Sequence, residues 1–209
     1  MASIARRKPG RPSAATTASN RQCILRAARE LFIEFGYATT TLEAIARRAG
    51  LSRPALHYHF TNKPQLYRDA IDRPAAAMVA AAATTARRAA TLPSQLANFI
   101  SATLGADDPN QCNAQLVAAA VRESVREVKL IDAEHDVLRA ARAFISSVMR
   151  EAIDRGELSP ETNIVDAVET MVAVLCGIAT YPAAFGPAEN LPAIVNAFEL
   201  LITDKLLAG

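Results

Sequence analysis

Between Thr39 and Tyr67 the chain reads TTTLEAIARRAGLSRPALHYHFTNKPQLY, a stretch whose side chains suit a polyanion. Arg47, Arg48, Arg53 and Lys63 can neutralise phosphates. His57 and Tyr58 offer hydrogen bonds to phosphate oxygens or base edges, and Pro54 and Ala55 can touch a thymine methyl. Residues that cap helix starts recur at Thr40 or Thr41, at Ser52, and at Thr61 or Asn62. Each such start turns backbone N–H groups and a positive dipole end outward, where a phosphate is favoured. Catalytic chemistry is poorly supplied by comparison. No Ser/His/Asp or Cys/His set, paired carboxylates, Gly-rich phosphate loop or metal-ligand spacing stands in a readable motif. Two of the three histidines are His57 and His59 and the third is His135, which leaves little material for an active site. No cofactor and no metal is implied.

The elements that must hold these groups are helices. Ile24, Ala28, Leu31, Phe32 and Phe35 recur at three- and four-residue steps and predict one buried face, in a helix from about Asn20 to Gly36. A short helix over about 41–49 turns Leu42, Ile45, Ala46 and Ala49 inward and breaks at Gly50. Leu51 plugs the core, Ser52 caps a third helix to about His59, and Pro54 sits in its first turn, where a missing N–H costs nothing. Leu56 and Phe60 share its inner side, with Pro54, Ala55, His57 and Tyr58 opposite. Two short helices crossing at Ala46, Ala49 and Gly50 describe a helix-turn-helix, whose second helix lies in the major groove. A fourth helix follows, which Pro74 either kinks or ends.

Composition and charge agree. Ala, Leu, Ile and Val dominate a chain with no Trp and eight Gly, a balance that leans all-α. Net charge is +2, yet residues 1–73 hold 13 Lys and Arg against five Asp and Glu, and residues 74–209 carry a net −6. A basic end on an acidic remainder fits contact with nucleic acid. Cys23, Cys112 and Cys176 are too scattered for a disulfide framework and fit a reducing, cytoplasmic compartment. No stretch of about 18 apolar residues predicts a membrane span, and no signal peptide is evident.

Here the sequence becomes recognisable. ILRAARELFIEFGYATTTLEAIARRAGLS, continued by PALHYHFTNKPQLY, resembles the DNA-binding domain of TetR-family repressors over residues 21–67. The resemblance implies phosphate contacts at Thr41, Tyr58 and Lys63. It implies base-edge contacts at Arg53, Pro54, Ala55 and His59, the last nearer the helix flank. His57 departs from the family, which usually has Tyr there; it can hold a phosphate with pH sensitivity or read a base. The preceding arm contains Arg-Arg-Lys-Pro-Gly-Arg-Pro at 6–12, similar to the Gly-Arg-Pro core of AT-hook segments. Arg7, Lys8 and Arg11 can therefore enter a narrow minor groove, unless the arm is only a soluble tail.

The resemblance also implies a C-terminal helical domain that dimerises and holds an effector, with Arg155-Gly156-Glu157-Leu158 closing a long helix. The expected organisation is a disordered basic arm over 1–19, a three-helix DNA-binding domain over 20–67, and an effector-binding and dimerisation bundle over 68–209, all-α with about nine helices. Helices are predicted near 75–91, 93–104, 110–128, 132–155, 160–180 and 190–207, with GADDPN (105–110) and 181–189 as loops. Recognition of two-fold DNA calls for a homodimer. Ala167, Met171, Val174, Leu175 and Ile178 on one helix, and Ile194, Ala197, Phe198 and Leu201 on the next, would form a four-helix interface or else fill the core. Phe99, Thr103, Leu116, Phe144, Val148, Met171 and Cys176 are candidate wall residues for a mostly apolar effector, or ordinary core. The expected function is a sequence-specific regulator, a repressor released from a palindromic operator by that effector. Two alternatives stand beside it: a DNA-coating helical protein without a sensor, and an enzyme.

Overall fold

The computed structural model describes residues 14–105, 112–126, 136–185 and 191–206. Among them every regular element is a helix. They run α1 (Ala14–Thr39), α2 (Leu42–Arg48), α3 (Arg53–His59), α4 (Lys63–Tyr67), a π-helical turn (Arg68–Asp72), α5 (Arg73–Ala86), α6 (Leu92–Leu104), α7 (Cys112–Arg126), α8 (Asp136–Asp154), α9 (Ile164–Phe185) and α10 (Leu191–Leu206). Because α4, the π turn and α5 form one continuous rod, the molecule has nine rods among the described residues. Arg7, Lys8 and Arg11 lie outside the described residues, as do residues 106–110 of the expected loop.

Helix α1 starts at Ala14, six residues before the expected start at Asn20, so residues 14–19 are helical and not part of an irregular arm. Its N-terminal Ala and Thr run carries no helix breaker. The other end is as expected: Gly36 breaks the helix at φ 79° and ψ 171°, a conformation open to glycine. Phe35 falls beside that break and is half exposed, against its expected place in the buried stripe. Thr40 closes the break, its hydroxyl within 3.1 Å of Leu31 O and 2.8 Å of Gly36 O.

Pro74 kinks its rod without ending it. Proline has no N–H to give the carbonyl four residues back, and its ring crowds that carbonyl. The π turn absorbs the mismatch. The carbonyl concerned, that of Ala70, takes Arg29 Nε of α1 at 3.3 Å instead. Other helix limits also differ from expectation, α5 stopping at Ala86, short of residue 91. Helix α9 begins at Ile164 because Asn163 caps it, accepting from Val165 N and Asp166 N at 3.2 and 3.4 Å. Ser159 makes the turn before it, accepting from Glu161 N at 3.2 Å. At its far end α9 continues through Tyr181-Pro182 to Phe185, where a loop was expected.

One apolar core runs through the molecule, from Ile24, Phe32, Ile45, Leu56 and Leu66 to Leu96, Phe99, Ile100 and Ile145, all nearly fully buried. The Ile164–Tyr181 stretch of α9 corrects one expectation. By length and composition it could cross a membrane, with mean hydropathy 1.6 over 18 residues. It nonetheless carries Asp166 and Glu169, and packs Val168, Val172, Ile178 and Ala179 into the protein.

Candidate nucleic-acid interface

The turn between α2 and α3 is built from its backbone outward. Leu51 N donates to Ala46 O at 2.9 Å and Gly50 N to Arg47 O at 3.1 Å, a Schellman closure with Gly50 at φ 69°. Leu51 is thereby folded against the core. Ser52 then caps α3, its hydroxyl accepting from Ala55 N at 3.3 Å, with Pro54 in the first turn. Thr41 caps α2, accepting from Ala44 N at 3.1 Å. Asn62 caps α4, accepting from Gln65 N at 2.9 Å, while Gln65 Oε1 accepts from Thr61 N at 2.9 Å. The open choices at Thr40/Thr41 and Thr61/Asn62 thus resolve to Thr41 and Asn62.

Helix α3 is anchored from within and bare without. Leu56 is 0% and Phe60 1% exposed, whereas Tyr58 is 73% exposed. Arg53, Pro54 and His57 are also exposed, and Ala55 and His59 are half-buried. Tyr58 stands edge-on to His59 with ring centroids 5.1 Å apart. Behind the helix, Arg21 stacks over the Phe60 ring at 5.2 Å and pairs with Asp69 at 2.7 Å, a buttress the sequence reading missed. Its only signal there is a basic residue on α1 facing an acidic one 48 positions on, which no local pattern connects.

The basic groups differ in their engagement. Arg47 and Arg53 are exposed. Arg48 pairs with Glu30 at 3.1 Å, both ends open to water, so the pair is weak and can exchange for a phosphate. Lys63 is half-buried; its Nζ lies 4.3 Å above the Tyr37 ring and donates to Ala38 O at 3.2 Å. Among the described residues no cluster of His, Cys, Asp and Glu could hold a metal.

A second set of contacts, also missed, ties this region to α7. Tyr37 N donates to the buried Glu123 at 3.3 Å, Arg122 Nη2 to Ile33 O at 3.5 Å, and Tyr67 OH to Ala119 O at 3.2 Å. Burial, with Glu123 and Asp72 nearby, pushes the Tyr67 phenol above its usual range, so it stays a neutral donor.

The remaining candidates divide by place. Phe99, Thr103 and Cys176 line an apolar cavity of about 40 Å³, together with residues such as Val117, Val121, Val172 and Leu175. Leu116, Phe144 and Val148 are buried but not on its wall, and neither is half-buried Met171. Phe144 instead stacks on Phe99 from behind, centroids 4.3 Å apart. Of the candidate interface residues, Ile178 and Phe198 are spent in this chain's own core. Ala197 and Leu201 are exposed, and Ala167, Met171, Val174, Leu175 and Ile194 are half-buried.

Known proteins share these features in two ways. Residues 24–70 match the family described as bacterial regulatory proteins, tetR family. The transcriptional activator FasR of Mycolicibacterium smegmatis is 42% identical over 50 residues, 24% of this chain and 23% of its own length. The transcriptional repressor BepR of Brucella suis is 38% identical over 63 residues, 30% of each chain. The chain therefore matches less than a third of these relatives' length. Across the whole fold, the regulator FadR of Bacillus subtilis, solved with stearoyl-CoA, superposes with a TM-score of 0.68 at 20% identity, covering 90% of this chain and 98% of that one.

Proposed function

We propose, from the match of residues 24–70 to the tetR family of bacterial regulatory proteins, that the chain is a homodimeric transcription regulator. It acts in the cytoplasm as a repressor, released from a palindromic operator by a small, mostly apolar molecule. The observation that carries this is α3, capped by Ser52 and pinned by Leu56 and Phe60, with Pro54, His57 and Tyr58 bare on the far side. In the groove, Arg53, Pro54, Ala55 and His57 face base edges, with His59 on the flank. Thr41, Arg47, Arg48, Tyr58 and Lys63 hold phosphates, positioning the helix without reading sequence. The domain division is residues 14–67 for DNA and residues 68–209 for effector and dimer, with Arg7, Lys8 and Arg11 ahead of α1 reaching the minor groove.

Dimerisation is supported by the faces of α9 and α10. Only 22% of the Ile164–Tyr181 stretch is buried. Val165, Glu169, Ala173, Gly177 and Tyr181 lie along its open side at four-residue steps, the last three without charge, and α10 leaves Ala193, Ala197, Leu200 and Leu201 exposed. Small residues let two helices approach closely, and a second copy covers this apolar surface. The interface is thus rotated from the Ile178 and Phe198 stripe towards these positions.

Coupling is supported by α7. It walls the cavity with Val117 and Val121 and, on its next turn, holds α1 through Arg122 and Glu123. A molecule that displaces α7 therefore moves the α1–α3 unit. Operator binding requires recognition helices about 34–36 Å apart, so an effector favouring another spacing weakens it, and DNA weakens the effector equally. Footprinting on DNA flanking the chain's own gene tests the reading. Two-fold protection by the wild type, lost in Tyr58→Ala, supports it; uniform coating of any DNA removes it.

A further inference from the structure

We propose that Tyr37 is a positioning residue for DNA binding: its ring holds the Lys63 ammonium in place for a phosphate, an inference that rests on the phosphate role given to Lys63 above. Lys63 is the first residue of α4 and half-buried, and its Nζ lies 4.3 Å above the face of the Tyr37 ring. A ring face is negative and attracts a cation, the more so where water is partly excluded. The same Nζ donates to Ala38 O at 3.2 Å. An ammonium has three protons on a rotating tip, so it can serve this carbonyl and a phosphate oxygen together. The surroundings are open on that side: Ala38, Thr39, Thr41, Thr61 and Asn62 are all exposed. A lysine on a bare surface must give up much of its rotamer freedom to hold a phosphate. Lys63 has already given it up in the protein without DNA.

The ring is itself fixed from three directions. Phe32 stacks beside it with centroids 5.9 Å apart, and Tyr67 meets it edge-on at 5.2 Å. Tyr67 is the last residue of α4 and follows Lys63 at a four-residue step, so this short helix rests on Tyr37 at both ends of one face. Behind the ring, the Tyr37 backbone N–H donates to the buried Glu123 carboxylate of α7 at 3.3 Å. Glu123 Oε1 lies 3.6 Å from where a Cβ on Gly36 would stand, so α7 touches this corner of the chain closely. The other basic groups of the interface are held more loosely. Arg47 and Arg53 are exposed, and Arg48 pairs with Glu30 with both ends open to water. A shift of α7 at Glu123 therefore reaches one phosphate-holding cation through a single residue, Tyr37.

The test is binding of the full-length protein to a duplex spanning the flank of the chain's own gene, measured across salt concentrations. Lys63→Met removes the charge and should flatten the slope of log affinity against log salt by about two, one phosphate for each protomer of a dimer. Tyr37→Leu keeps an apolar side chain but no ring face; it should weaken binding about tenfold and flatten the slope by about one or more. Tyr37→Phe keeps the face and should stay within about twofold of the wild type. In the Lys63→Met background, Tyr37→Leu should change affinity less than about twofold, because the ring then has no charge to place. A loss of equal size with and without Lys63, or a wild-type slope in Tyr37→Leu, overturns the proposal and leaves Lys63 on its phosphate. If Lys63→Met keeps wild-type affinity and slope, the phosphate role of Lys63 falls and the proposal with it, while recognition by α3 is judged separately by its footprint. Where Tyr37→Leu does not fold, the wild type decides. NMR should place the Lys63 ε-methylene protons upfield of their unfolded-chain position, as a ring face imposes, both without DNA and in the complex. Unshifted protons in either state overturn the proposal.

Discussion

Helices α3 and α9 both leave one face uncovered, and the two faces differ in chemistry, most of all over the C-terminal half of α9. Helix α3 shows water Arg53, His57 and the 73% exposed Tyr58, groups that hydrogen-bond and carry charge. Helix α9 shows Val165, 71% exposed, then Asp166 and Glu169, and beyond these the uncharged Ala173 and Gly177. A polar, aromatic face can remain in water until an anion arrives. An apolar face in water carries a standing cost and favours a permanent partner. The difference fits the proposal that the first meets a reversible partner, DNA, and the second a constant one, another copy of the chain.

The largest predicted effect removes the anchor that makes the α3 face possible. Leu56 is wholly buried, so Leu56→Ala should cost about 2–5 kcal/mol in denaturant unfolding and abolish operator binding. Next comes the α9 face. Ala173→Glu puts a charge into the proposed dimer contact; sedimentation should show monomers with unchanged helicity, and operator affinity should fall about 10²-fold or more. A dimer that survives this change would dissolve the contrast between the two faces. Tyr58→Ala should weaken operator binding about tenfold in mobility-shift titrations and leave the melting temperature within a degree or two, because the side chain is largely exposed and its ring contact is with His59 of its own helix.

The two regions also differed in how readily their sequences could be read. In the N-terminal part the signals are local. A cap at Ser52, a glycine at position 50 and a four-residue step from Leu56 to Phe60 each act within one turn, so spacing in sequence is spacing in space. In the C-terminal part the outcome depends on which side of a long apolar helix meets which neighbour. Along α9 nearly every position is apolar, so the stripe containing Ile178 and the open side containing Ala173 look alike until α8 and α10 are placed. The same holds for Phe144, an aromatic residue near the cavity that turns out to support its wall from behind. Glu123 was invisible for a different reason: its partner, the backbone of Tyr37, is 86 residues away.

Two smaller effects sharpen the account. Glu123→Gln keeps the shape but weakens the acceptor for Tyr37 N. Operator affinity should change less than about threefold, while the effector's ability to release DNA should fall, as read by mobility shift across effector concentrations. The smallest effect is on pH. Hydrogen bonds from Arg87 and Arg142 hold the Glu151 and Glu169 carboxyls below their usual range. Groups with lowered folded values stabilise the protein above the ordinary carboxylate pKa and lose that contribution as pH falls through the folded values. Melting temperature should thus decline slightly on acidification below about pH 4.5, with a smaller decline in Glu151→Gln.

The central claim is that the outer face of α3, doubled by a two-fold axis, reads DNA. Hydroxyl-radical footprinting of the wild type and Tyr58→Ala on the DNA flanking the chain's own gene tests it most directly. The account predicts two symmetric protected patches, centred one helical turn or a multiple of about 10 bp apart, for the wild type, and their loss at the same protein concentration for the variant. Protection without symmetry, or a footprint unchanged by Tyr58→Ala, would contradict it.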